Sequence, residues 1–286
     1  MRRAALLLLA AAAAAAPKQK VATADLPVVR KVDGFPELSP FVSATVELDA
    51  EGVFHLAGRR ATLNEVDAYV LRTTEQRAIH LRRQGEEGTV KLPGDVEGSP
   101  VHVHLRVHRD APWRHVQWLL TLLAQQGAYR TEFVAVDAAG EEGVVRAWLP
   151  LDVAAEGGLV LPEDDEDETE QAPRARPGVL TVTLLAEGER EAAYRGETVR
   201  APGGPAFAVG KRKTSDRERF ARILAEELRR AKAKTVEIRA ERRMPTGEVV
   251  RAIDEVRAAG HERVDVYRPT AVPLALRGRA ALPYPE

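Results

Sequence analysis

The chain has no cysteine in its 286 residues. Disulfides and thiolate metal centres are thereby excluded, and any nucleophile has to come from another residue type. An oxidising compartment suits such a chain without covalent staples. Charge of one sign is lacking too: 42 Lys and Arg stand against 43 Asp and Glu. That balance argues against a dedicated nucleic-acid binder, which carries a basic excess. Serine is scarce, and none of Ser39, Ser43, Ser99 and Ser215 sits in a nucleophile-elbow setting. No glycine-rich loop leads from a strand into a helix; Gly203-Gly204 lies between prolines and reads as a turn. Together these gaps argue against an enzyme, and no cofactor is expected.

Long apolar runs are also few. The one at the N-terminus, Ala4–Ala16, follows Arg2 and Arg3 and precedes Pro17, Lys18 and Lys20. A charged start, a short apolar stretch and small residues make a secretory signal. As a helix the run reaches only ~20 Å, against a hydrocarbon core of roughly 30 Å. Residues 1–20 are therefore expected to be a signal peptide, with a short N-terminal membrane segment as the runner-up.

What the chain does contain is an internal echo. Val103–Val134 and Val236–Tyr267 align without a gap, and identities fall at Val103/Val236, Arg106/Arg239, Arg109/Arg242, Pro112/Pro245, Val116/Val249, Gly127/Gly260 and Arg130/Arg263. Each copy opens on alternating apolar residues, Val101, Val103, Leu105 and Val107 or Val236, Ile238 and Ala240, the period of a half-buried strand. Pro112 and Pro245 suit a helix start. Val116, Leu119, Leu120 and Leu123, matched by Val249, Ala252, Ile253 and Val256, give each helix one apolar face. Gly127 and Gly260 supply the left-handed cap, and Thr131–Val136 and Arg263–Tyr267 read as the following strands. Upstream, Thr62-x-x-Glu65 and Ser215-x-x-Glu218 are capping signals for two further helices. The expected fold class is α+β: two tandem small domains, each a mixed β-sheet with two helices packed on one face, in the order β-β-α-β-α-β. The boundaries are 21–155 for the first domain, 156–177 for an acidic, proline-containing linker, 178–270 for the second domain and 271–286 for a tail. The run Glu163–Glu168 cannot bury itself and is read as solvated. Leu149–Leu151 is expected to add an edge strand to the first domain.

Arg239-Ala240-Glu241, Pro245-Thr246-Gly247-Glu248-Val249-Val250, Ala258-Ala259-Gly260 and Val264-Asp265-Val266 resemble the periplasmic domain of the ExbD/TolR family. That pattern is a strand ending in Arg-Ala-Asp, then Val-Pro-Tyr, a helix ending in Ala-Gly, and a short strand. Arg106-Val107-His108, Pro112-Trp113 and Gln126-Gly127 give a looser version, and Ala24-Asp25-Leu26-Pro27 is similar to the family's exit from the membrane. The resemblance implies a periplasmic location, or the periplasmic face of the inner membrane. It also implies an ExbB/TolQ-like or ExbD/TolR-like membrane partner and self-association, here as an internal pseudo-dimer. The family's membrane helix bears an aspartate that handles the driving proton, whereas Ala4–Ala16 has no ionisable residue. The resemblance therefore implies an accessory role and not the motor itself. The alternative is a module binding peptidoglycan or another envelope polymer without coupling to transport.

Two sets of side chains stand out. His102, His104 and His108 share one strand face, with His115 on the next helix, and imidazoles two apart on a strand can converge on a metal. The aligned positions hold Thr235, Glu237, Glu241 and Glu248, so the favoured reading is an ordinary polar face with no metal. His104, Arg106, Glu237, Arg239 and Glu241 are expected to line the sheet face opposite the helices, wet or paired with another module.

Overall fold

The computed structural model describes residues 21–35, 43–92, 96–149, 178–186, 188–194, 197–203 and 205–267. The expected signal at 1–20, the linker at 156–177 and the tail at 271–286 lie outside the described residues. The first half runs β1 (Ser43–Leu48), β2 (Phe54–Leu56), β3 (Arg59–Ala61), α1 (Leu63–Arg83), β4 (Val90–Leu92), β5 (Val96–Val107), α2 (Trp113–Gln125), β6 (Ala128–Val136) and β7 (Glu142–Trp148). The second runs β8 (Val179–Leu185), β9 (Gly188–Tyr194), β10 (Glu197–Gly203), β11 (Ala206–Val209), β12 (Arg212–Thr214), α3 (Arg217–Ala231), β13 (Thr235–Ala240), α4 (Thr246–Ala258) and β14 (Val264–Val266).

Local chemistry sets the element ends. Thr62 and Glu65 form a full capping box at the start of α1. The matching cap on α3 is Asp216, one residue past the expected Ser215, and its carboxylate accepts from the Arg219 N–H at 2.7 Å. A short carboxylate and a serine hydroxyl compete for the same orphan amides there. Gly127 and Gly260 follow α2 and α4 with φ of 71° and 94°, the left-handed conformation expected of them.

The strand order in each half is the same. From the outer edge inward it reads β3-β2-β1-β5-β6 in one and β12-β11-β8-β13-β14 in the other. In both, the two outer pairs are antiparallel and the two inner pairs parallel. β4 adds a short hairpin onto the start of β5, and β9 pairs with β10 in a separate two-stranded sheet.

The expectation of two separate sheets needs correction. β7 pairs antiparallel with β6 and parallel with β14, so both halves run into one mixed sheet. The edge strand expected at Leu149–Leu151 lies, past Leu149, outside the described residues; the strand before it, Glu142–Trp148, is interior. One hydrophobic cluster joins Val46, Leu105 and Leu120 to Val182, Ile238 and Ile253. A separate domain would leave β6 and β14 with exposed ladder groups, and β7 satisfies both. Separate cores therefore cannot support the duplication; the shared strand order carries that comparison instead.

At the junction the two helix starts meet. Trp113 N–H donates to Met244 O (2.8 Å) and Thr246 N–H to Ala111 O (2.9 Å). Arg114 N–H donates to Arg242 O (2.9 Å) and Gly247 N–H to Arg109 O (2.7 Å). Under the offset that aligns Pro112 with Pro245, each bond maps onto its counterpart. Reciprocal contacts of that kind define an isologous interface, here closed within one chain. Pro112 and Pro245 themselves form an antiparallel bridge.

Residues 21–35 close the first half. Val29 N–H donates to Val136 O, and Asp33 and Val144 exchange both backbone bonds. Arg257 Nη2 on α4 reaches Asp33 at 2.7 Å, and the Asp254 carboxylate accepts from Arg30 N–H at 2.9 Å. A side chain at Gly143 would meet Asp33 O at 2.4 Å, which is why glycine stands there.

Candidate functional site

Because cross-strand partners share a face, register defines the surface opposite the helices. Ser43, His102, Arg130, Trp148, Asp265, Glu237 and Thr181 form one continuous row across both halves. Thr45, His104, Glu132 and Arg146 form the next, and Glu47 and Arg106 the one beyond. His104, Arg106, Glu237 and Arg239 therefore share this face. Glu241 does not; it follows the end of β13, where its carboxylate accepts from Ala186 N–H at 2.7 Å.

The face is not wet. Arg106 is 2 % exposed, Glu132 2 %, Glu237 2 % and His104 9 %. In the first half the cover is the chain's own N-terminal segment. Arg106 donates to Val21 O (2.7 Å), Thr23 Oγ1 (3.2 Å) and Glu142 (2.6 Å), while Glu47 accepts from Val21 N–H (3.0 Å). Val21 and Leu26 pack on Val134 and Val136, and Phe35 meets His104 edge-on. Burial works to raise the Glu142 carboxyl, but the hydrogen bonds and charge of Arg106 outweigh it and hold the group below the ordinary range. In the second half Glu237 pairs with Arg239 at 2.6 Å, and Arg239 lies over the Tyr267 ring.

Glu132 is the centre of the first half's polar face. Its Oε1 lies 3.1 Å from His102 Nδ1 and 3.2 Å from Arg146 Nε, and its Oε2 lies 2.9 Å from His104 Nε2. Burial alone would raise this carboxyl. The hydrogen bonds and charges of His102 and His104 win and pull it well below the usual carboxylate range. The two histidines thus act as partners of one carboxylate. His108 is apart from them, 3.7 Å from Asp25 and 3.8 Å from Asp110. His115 packs over Gly52 and against Trp118, where burial first and the Arg114 charge second push it down to about 4. Among the described residues no group of three or more such side chains is arranged to hold a metal ion.

Sequence reasoning missed Arg130, Arg146 and Trp148 as neighbours of this cluster. They surround a cleft of about 360 Å³ together with His102 and Glu132. The usable signal was the identity Arg130/Arg263 on the strand that follows each helix. Arg146 and Trp148 lie on β7, which has no counterpart among the described residues of the second half, and nothing in the internal alignment announces them.

Among the described residues no helix is long and apolar enough to cross a membrane. No curated protein and no solved structure matches the chain. A family model does: residues 149–269 match the model described as Biopolymer transport protein ExbD/TolR. Over that stretch, which holds the strand–helix pattern of the second half, the chain is similar to the ExbD/TolR family.

Proposed function

We propose that this protein is a non-catalytic accessory component of an ExbB/TolQ-type energy-coupled transport system, acting at the periplasmic face of the inner membrane. The family match over residues 149–269 carries the reading. We further propose that residues 21–155 and 178–270 are two ExbD/TolR-like modules, joined by the linker at 156–177 and paired within one chain as an internal pseudo-dimer. The reciprocal backbone bonds around Pro112 and Pro245, and the common strand order, support that part. The polar face is read as structural over Arg106 and Glu132, whose charges are internally matched. A buried, satisfied ion pair has little left to offer a partner.

The test is co-purification. An affinity-tagged full chain, recovered from detergent-solubilised membranes, is expected to bring down an ExbB/TolQ-like integral membrane protein in a fixed ratio. Recovery without any such protein, together with retention on isolated cell-wall sacculi, overturns the transport reading in favour of envelope-polymer binding.

A further inference from the structure

We propose that Arg130 anchors a binding site for a small organic acid, a carboxylate carried on a flat apolar body. This is independent of the transport assignment. The argument starts from the two arginines that the internal alignment equates. Arg263 Nε pairs with Asp265 at 3.2 Å, one position past its neighbour on β14. In the first half, the carboxylate equivalent to Asp265 is Glu132, and it is already taken by His102, His104 and Arg146. Arg130 is left over.

Its surroundings bear that out. Arg130 Nε is buried with no hydrogen-bond partner, and Nη1 has only a long contact of 3.5 Å to His102 Nε2. The contact is to an imidazole nitrogen, so it brings no negative charge. The guanidinium lies 5.3 Å from the Tyr129 ring centroid and 6.0 Å from that of Trp148, two rings stacked 5.6 Å apart. Ring faces attract a cation but do not neutralise it. A half-buried guanidinium without a carboxylate is costly to hold. A planar fork of donors beside an open cleft is the geometry that a carboxylate or other planar oxyanion fits in bidentate fashion.

The cleft decides between an ion alone and a larger acid. At about 360 Å³ it is at the lower end of small-molecule sites, and Trp148 forms part of its wall. An inorganic anion would leave that ring uncovered. A cyclic or aromatic acid covers the ring and places its carboxylate on Arg130. Trp148 belongs to the interior strand β7, whose register places it beside Asp265 of the second half.

Calorimetric titration of the full chain with benzoate, and with benzamide as the neutral isostere, tests this. Benzoate is expected to bind saturably and raise the melting temperature; benzamide is expected to do neither. Arg130→Met is expected to weaken benzoate at least about tenfold, the loss of one charge-assisted contact, while the ligand-free melting temperature stays level or rises. A purely structural arginine would lower it. His102→Thr copies Thr235 of the second half and releases Glu132 to close on Arg130; it is expected to lose benzoate binding even if the methionine variant fails to fold. Equal binding of benzamide, undiminished binding in either folded variant, or no response of the unmodified chain to benzoate overturns the proposal.

Discussion

The two halves use one strand order and fill it with different chemistry. At the first residue of α2 stands Trp113, fully buried against Phe133; at the same place on α4 stands Thr246, whose hydroxyl donates to Ala111 O at 2.8 Å. Two positions further on, the first half buries His115, while the second has Glu248 in an ion pair with Arg217. On the sheet, Glu132 is held by two imidazoles and an arginine, where Asp265 has Arg263. A repeated backbone thus constrains where polar groups must be matched, and leaves open which groups match them.

Substitutions at these equivalent places can sharpen or break that contrast. Trp113→Ala is expected to cost about 3–5 kcal/mol in denaturant unfolding. Thr246→Val, which removes one buried hydrogen bond at the same point of the other helix, should cost only about 1–2 kcal/mol. Similar costs would mean that the two helix starts are packed alike after all.

Glu132→Gln leaves His102, His104 and Arg146 facing a neutral amide. A loss of about 2–3 kcal/mol at neutral pH is expected, less than for a fully sequestered pair because Arg146 is half-exposed. Asp265→Asn should cost less, since it removes a pairing with one half-exposed arginine, Arg263, where Glu132 also holds two largely buried imidazoles.

Acid titration separates the halves by sign. His115 binds its proton more weakly folded (about 4) than unfolded (6.5). The unfolded chain therefore takes up more protons in that interval, and stability falls as pH drops from 6.5 toward 4. His115→Gln should remove on the order of 2–3 kcal/mol of this slope. Glu132, held low, adds a loss that begins as pH falls below about 4.5, the usual carboxylate value, and Glu132→Gln should abolish it. Glu255 on α4 runs the other way. Burial raises it, only partly offset by Arg217, so the folded state holds that proton better and stability falls as pH rises through the interval just above 4.5. Glu255→Gln should flatten that opposite slope, and unfolding curves at stepped pH check all three.

The smallest effects are expected at the caps. Thr62→Ala and Asp216→Ala should each cost about 1 kcal/mol. Unequal losses measured by thermal unfolding would mark one of the two long helices as the weaker element.

Periodicity made much of this fold readable. The apolar stripes of α2 and α4, the strands leading into them and the glycines that end them follow from short-range spacing. The single sheet does not. β7 meets β14 across more than a hundred residues of sequence, and Glu142–Trp148 carries no feature that distinguishes an interior strand from an edge. Likewise, Arg106 and Glu237 alternate with apolar neighbours as exposed residues do. Their burial under the N-terminal segment or beside other charges is a tertiary fact that alternation cannot report. The spacing of His102 and His104 was visible in the sequence, whereas their common partner, Glu132, lies on another strand.

The bonds around Pro112 and Pro245 also have a consequence for inheritance. In an association of identical subunits, every substitution is imposed on both sides of the symmetry axis at once, and dilution can pull the partners apart. A tethered pair escapes both conditions. Each side can vary alone, as Trp113 and Thr246 do beside the same four amides, and a pairing within one chain does not depend on the concentration of the protein.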